Sequence, residues 1–299
     1  MYRIVTDSSW DLNDMAEKLE VEIVPFQVNL DGNGYKKEYF ELKAEEIYQY
    51  MVDHPTVYPK TAQPAMDDYY KAFEKIAKEG NDIICFTLSS KLTGSINSAL
   101  NVKAMILDEY PDIQIEVIDS TQATVTQGLI VKEIAEYRQK GATYQQAIEK
   151  AKEIIKTARI FFSVNSLDYL IQGGRIGKVT GNFANSLNLK PMIVLNDGEL
   201  HSLGIARGRK PSMIRAVKEL VSFMKENELN IHDYHFIVGY GFFKEEGEFI
   251  HSRLIKGLKE IDESFDEEIP MVHIGSTIGI YTGPTPIGVG FVKKIIPEL

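Results

Sequence analysis

Cysteine occurs once in the 299 residues, at Cys85, so neither an intrachain disulfide nor a thiolate metal cluster can form. Lying inside an apolar run, that thiol is expected in the core. No apolar stretch approaches the ~20 residues that span a bilayer, and Tyr2-Arg3-Ile4-Val5 enters a strand without a leader segment. The expectation is a soluble, cytoplasmic chain with no stable membrane insertion. Positive charge is also short: 33 Lys and Arg face 43 Asp and Glu, a net charge of -10, which argues against nucleic acid as a partner. There is no Gly-x-Ser-x-Gly elbow, and none of the six histidines lies near a serine-rich turn. His232 and His235 lack carboxylates at zinc spacing and read as structural. A triad assembled in space stays open, and the expectation is no catalytic group, no metal and no cofactor.

What is present is a strand that turns abruptly into small hydroxyl residues. Ile83 to Leu88 is short, continuous and apolar, as a strand buried on both faces of a parallel sheet must be. Ser89-Ser90-Lys91-Leu92-Thr93-Gly94-Ser95 follows, with Thr93 or Ser95 expected to cap a helix running to Leu107. A helix start at the carboxyl end of such a strand aims N–H groups and hydroxyls into a crevice suited to an anion. Thr6-Asp7-Ser8-Ser9 repeats the pattern after the first strand, with Ser9 or Asp11 as expected caps. Asp119-Ser120-Thr121 repeats it after the strand Ile113 to Ile118.

Strands alternating with helices through residue 158 predict a three-layer α/β/α domain around a parallel, doubly wound sheet. Within it, Val21 to Leu30 reads as one strand and Tyr35 to Phe40 as another. Pro59-Lys60-Thr61-Ala62-Gln63-Pro64-Ala65 reads as an extended loop fixed by its prolines. Residues 159–299 change rhythm. A hairpin about Asn196-Asp197-Gly198, helices at Pro211 to Asn227 and Lys244 to Ile261, and late strands predict a second α/β domain with a mixed sheet.

Gly173-Gly174-Arg175-Ile176-Gly177-Lys178-Val179 fails as a phosphate loop, because its spacing is short and Val179 replaces the magnesium-holding hydroxyl. It reads instead as a glycine turn closing a helix and presenting Arg175 toward a cleft. Ile274 to Pro284 holds too many glycines for a plain strand and suggests close backbone approach. Neutral hydroxyls at strand ends, with very few buried acids or bases, suit holding an anion better than transforming it.

Six short motifs stand in one order along the chain: Thr6-Asp7-Ser8-Ser9 with Asp11-Leu12; Lys60-Thr61 with Gln63-Pro64; Leu88-Ser89-Ser90 with Leu92-Thr93-Gly94 and Ser98-Ala99; Asp119-Ser120; Leu170 with Gly173-Gly174-Arg175-Ile176; and Gly283-Pro284. Together they resemble the DegV family of bacterial fatty-acid-binding proteins, from residue 3 to residue 292. The resemblance implies a two-domain DegV-like fold whose second domain completes a lipid site. It implies a long-chain fatty acid held in an apolar tunnel. The carboxylate would be presented to a separate ATP-binding fatty-acid kinase subunit that makes the acyl phosphate for phospholipid synthesis. Carried over by motif, Thr61, Thr93 and Arg175 would bind the carboxylate, with Ser95 and the N–H groups near Gly94 assisting. Thr93 stands where the family commonly has Ser and keeps the donor. Tyr281 stands where the family usually has His, and a phenol donates one hydrogen bond without carrying a cation. Ala62 and Ala65 stand where hydroxyl residues are frequent.

A reading of another class is an enzyme acting on a phosphorylated small molecule, dihydroxyacetone-kinase-like, with Arg175, Lys178 and the hydroxyl turns as its phosphate site.

Overall fold

The chain begins with β1 (Tyr2–Asp7), a single helical turn α1 (Ala16–Leu19) and β2 (Val21–Val24). Then come β3 (Gln27–Asn29), β4 (Lys36–Lys37), α2 (Ala44–Asp53), β5 (Lys60–Ala62), α3 (Met66–Lys78), β6 (Asp82–Thr87), α4 (Ser95–Glu109), β7 (Ile115–Asp119), α5 (Thr124–Gln139) and α6 (Tyr144–Ile155). The second half adds β8 (Arg159–Ser163), α7 (Asp168–Gln172), β9 (Leu189–Asn196), β10 (Glu199–Arg207), α8 (Arg209–Glu226), β11 (Tyr234–Tyr240), α9 (Lys244–Lys259), β12 (Met271–His273), α10 (Ser276–Thr282) and β13 (Ile287–Lys293). This computed structural model describes residues 1–179 and 188–295.

Four strands form a parallel sheet in the order β2-β1-β6-β7. Alternate residues of a strand point to opposite faces, and here both faces are apolar, which explains the unbroken hydrophobic runs. Val5, Ile83 and Cys85 pack with α3 and α4, through Tyr69, Phe73, Val102 and Ile106. Ile4, Ile84 and Phe86 pack on the opposite side with Leu129, Ile130 and Ile134 of α5. A fully buried side chain of this kind contributes roughly 1.5–3 kcal/mol.

The second sheet has six strands in the order β10-β9-β8-β13-β11-β12 and is mixed, because only β11 and β12 run parallel. Its outer face carries Phe161, Val289 and Phe291 against α8 and α9. Ile160, Phe162 and Leu195 of its inner face join the apolar cluster that also holds α5 and α6. Those two helices therefore form one layer between the sheets. Bare backbone lets α5 approach: a Cβ on Gly290 would lie 2.6 Å from Thr126 Cγ2.

Several local expectations are corrected. Val21 to Leu30 is two strands: β2 belongs to the parallel sheet, and beyond Pro25 the chain leaves it to form β3 in a separate ribbon ordered β4-β3-β5. Proline has no N–H to continue the ladder. The strand expected over Tyr35 to Phe40 shrinks to Lys36–Lys37, and the proline-bounded loop pairs as β5, with Thr61 opposite Val28. The glycine-rich tail folds as α10, and the close backbone approach expected there is met at Gly279, where an added Cβ would lie 2.7 Å from the Tyr48 hydroxyl. Finally, Gly94 rather than Thr93 or Ser95 occupies the cap position of α4, while Thr93 Oγ1 accepts the Ser95 N–H at 3.3 Å. Ser9 and Asp11 do not cap the turn after β1 either, since no side chain caps it.

Candidate functional site

Beyond the carboxyl ends of β2, β6 and β7 lies a cavity of about 140 Å³, roughly ten times the room one water molecule needs. Its walls come from the loops after these parallel strands and from the mixed sheet. Leu88, Leu92 and Ala123 follow the parallel strands, while Ile160, Phe162, Leu195 and Leu200 project from the mixed sheet, and Ile274 and Ile278 flank the start of α10. At Gly288 the backbone itself forms the lining; a Cβ there would lie 2.7 Å from that of Phe162. The space is therefore mostly apolar.

One end is polar, and five of the six residues singled out in the sequence line the cavity: Thr61, Thr93, Gly94, Arg175 and Tyr281. Thr61 on β5 and Tyr281 on α10 join through their hydroxyls at 2.8 Å. Gly94 lets two loops meet, since a Cβ there would stand 2.5 Å from Gln63 Oε1. Gln63 is in turn held by donation to Ser98 Oγ at 2.9 Å.

Arg175 is presented as the glycine turn predicts. Gly174 takes φ +67°, and the Arg175 N–H returns to Leu170 O at 2.9 Å, closing α7. The guanidinium stacks on the Tyr281 ring at 5.0 Å, donating through Nε to Leu92 O at 3.2 Å and through Nη1 to Gly173 O at 2.6 Å. Gly173 must stay bare for this stack, because a Cβ would lie 2.2 Å from Tyr281 Cδ1. Thr61, Arg175 and Tyr281 also border an outer recess of about 270 Å³ lined by Tyr35, Tyr58 and Tyr169. They form the partition between an oily interior and an aromatic vestibule.

Ser95 is the exception. Its hydroxyl is buried away from the cavity, donating to Asp7 Oδ2 at 3.3 Å and sharing a hydrogen bond with Tyr69 Oη at 2.7 Å. It supports the loop from beneath. Lys178 is paired with Glu199. His232 lies 3.2 Å from Asp262 and His235 lies 2.8 Å from Glu133, both structural pairings.

The expectation of very few buried acids is overturned. Asp7, Asp11, Glu38 and Glu133 are all buried. Asp7 Oδ1 accepts from Ser9 Oγ at 2.6 Å and Gln127 Nε2 at 2.9 Å, and Oδ2 accepts from the Leu88 N–H at 2.7 Å. Burial still raises its pKa. Burial pushes the Asp11 carboxyl well above the usual range, against the donation from Thr124, and the neighbouring Glu38 and Asp7 add repulsion. Glu38 accepts from Ser8 Oγ at 2.5 Å, Thr277 N at 2.6 Å and Thr277 Oγ1 at 2.7 Å. Thr124 and Thr277 both line the cavity, and both turn their hydroxyls to these acids. Neither was singled out in the sequence, nor was Thr282 of the same lining; the one signal was the unexplained glycine-rich tail.

Among the described residues, no group of three or more His, Cys, Asp or Glu is arranged to hold a metal ion, and no helix is long and apolar enough to cross a membrane. The arrangement offers hydroxyl and guanidinium donors beside an apolar hollow.

Residues 1–294 match the family described as uncharacterised proteins of the DegV family. A DegV domain-containing protein of Caldanaerobacter subterraneus is 30% identical over 297 residues, covering 97% of this chain and 98% of the relative. Among solved structures, a stearic acid-binding protein from Eubacterium ventriosum is 38% identical with a TM-score of 0.91, covering 98% of this chain and 99% of that one. A fatty-acid-binding DegV family protein from Thermus thermophilus is 25% identical with a TM-score of 0.82, covering 98% and 99%.

Proposed function

Since the chain belongs to the DegV family, we propose that it is a non-enzymatic carrier of a long-chain fatty acid. The acyl chain lies against the apolar walls, and the carboxylate meets Thr61, Thr93, Gly94, Arg175 and Tyr281. The observation that carries this reading is the hollow whose oily walls end in a cluster of neutral hydroxyls beside one guanidinium. Binding of stearic acid by the Eubacterium ventriosum protein, at 38% identity, supports it.

Affinity comes mainly from the tail: about fourteen buried methylenes at ~0.8 kcal/mol each supply ~11 kcal/mol before the cost of freezing the chain. The head group sets direction, because a carboxylate leaves water only when its oxygens are hydrogen-bonded. With its carboxylate at the partition to the vestibule, the acid is presented to a separate, cytoplasmic, ATP-dependent kinase subunit, which forms the acyl phosphate. Native mass spectrometry of the purified protein tests the carrier role, with an adduct of long-chain acid mass expected. A ligand-free protein that also takes up neither oleate nor palmitate would refute it. Hydroxylamine trapping tests the second half: acyl hydroxamate is expected only when ATP and the kinase are both added. Turnover of ATP or a sugar phosphate by this chain alone would overturn it.

A further inference from the structure

Three of the four segments that carry the head-group residues are the loop Leu88 to Ser95, the β3–β5 ribbon and α10; the fourth is the turn after α7 that bears Arg175. We infer that the turn Asp7-Ser8-Ser9, acting with Glu38, is a positioning hub that sets the first three around the ligand's carboxylate. The inference rests on the fatty-acid reading above and assigns new residues to that site.

Asp7 Oδ2 accepts from the Leu88 N–H at 2.7 Å and the Ser95 hydroxyl at 3.3 Å, gripping the loop on both sides of Thr93. Ser8 Oγ accepts the Phe26 N–H at 3.0 Å, just before β3, and β3 in turn aligns Val28 with Thr61. The same hydroxyl donates to Glu38 Oε2 at 2.5 Å, and Glu38 takes both the amide and the hydroxyl of Thr277, one helical turn before Tyr281. A three-residue turn thus reaches Thr93, Thr61 and Tyr281, which lie in segments far apart in the chain. Ser9 steadies it by donating to Asp7 Oδ1 at 2.6 Å.

None of the four hub residues lines the cavity, so they act through others. Asp7, Ser8 and Ser9 are wholly buried, and Glu38 is 3% exposed. Among the described residues no Lys, Arg or His pairs with Asp7 or Glu38. Apolar side chains would fill the same volume without the desolvation penalty of two carboxyl groups. What the acids add is fixed direction for the groups that donate to them.

The test compares binding of oleate with that of methyl oleate, whose head group carries no charge, in the full-length protein. Ser8→Ala removes the acceptor of the Phe26 N–H and the donor to Glu38. The expected result is a loss of about tenfold in the preference for acid over ester, the scale of one buried hydrogen bond. Val217→Ala, in the apolar cluster beneath α8, lowers the melting temperature but leaves the preference intact. Should Ser8→Ala fail to fold, Glu38→Gln and Thr277→Val break the same chain at its next links and are expected to lower the preference likewise. Wild-type protein that binds oleate, with folded variants keeping the wild-type preference, overturns the hub alone. Wild-type protein that is purified ligand-free and binds neither oleate nor palmitate overturns the carrier reading and the hub with it.

Discussion

Thr61 Oγ1 and Tyr281 Oη stand 2.8 Å apart although 220 positions separate them in the chain. One hydroxyl comes from a three-residue strand, the other from the last short helix, and their bond closes the polar end of the cavity. Tyr281→Phe keeps the ring, its packing on Gly173 and its stack with Arg175, and deletes only the donor. Acid affinity is expected to fall roughly 3- to 10-fold, the range of a single neutral hydrogen bond, with methyl oleate unaffected. Titration calorimetry with both ligands checks this; an equal loss for the ester would place Tyr281 along the tail instead.

Thr93→Val removes a donor proposed for the head group and also the oxygen that accepts the Ser95 N–H at 3.3 Å. Two effects follow. Stability is expected to drop by about 1 kcal/mol, as for one lost hydrogen bond to the backbone. Acid affinity is expected to fall along with it. Thr61→Val should reproduce the second effect without the first, because its hydroxyl bonds only Tyr281 among the described groups. Unchanged binding in both variants removes the assigned carboxylate site.

Gly173→Ala tests the partition by steric means. The new methyl would lie 2.2 Å from Tyr281 Cδ1, far inside contact distance, so the ring must swing away. Overpacking of this kind typically costs about 1–3 kcal/mol. The displaced ring forfeits both the Thr61 bond and the Arg175 stack, so acid affinity should fall further than in Tyr281→Phe. Urea unfolding and oleate titration of the two variants side by side provide the comparison.

Part of this architecture was legible in the residues and part was not, for physical reasons. Ile83 to Leu88 announced a strand buried on both faces because both faces meet helices, and Gly174 announced a helix end because φ +67° excludes most other residues. Asp197 and Gly198, both left-handed, make the expected hairpin turn. Glu38, by contrast, sits in a run of charged and aromatic residues that reads as solvent-facing. It is buried by Ser8, 30 positions away, and Thr277, 239 positions away, which no local pattern encodes. Likewise the glycines at 275 and 279 signal close backbone approach without naming the neighbour. Asp11 and Tyr48, which stand where their side chains would be, lie far away in the chain.

Buried acids give the protein a pH dependence of two signs. Asp7 and Asp11 have folded pKa values raised above the unfolded value by burial, so their protonated forms favour the fold. That contribution is complete below pH ~4 and is lost as pH rises through the folded pKa. Glu133 behaves oppositely: burial opposes ionisation, but the His235 bond and charge and the Ile295 N–H outweigh it and lower its pKa. Its contribution is present above pH ~4.5 and is lost on acidification. Asp11→Asn is therefore expected to flatten the decline of stability toward alkaline pH while leaving the acid limb intact. Urea midpoints measured from pH 4 to pH 9 decide this; parallel curves for variant and wild type would show that Asp11 ionises alike in both states.

Ligand removal supplies a further test, because a bound acid stabilises only the folded chain. At a free ligand concentration of 100 times Kd, linkage gives about 2.7 kcal/mol, and each further tenfold adds ~1.4 kcal/mol. Protein stripped of lipid and then titrated with oleate should show a melting temperature that climbs with the logarithm of ligand. The cavity walls come from the loop after β6 and from β8, so oleate should protect that loop and β8 together against amide exchange. Protection confined to one of them would mean that the acyl chain does not lie against both. With Tyr281→Phe the same titration should keep its slope and shift to higher concentration, since the tail still binds but the head group is held by one donor fewer.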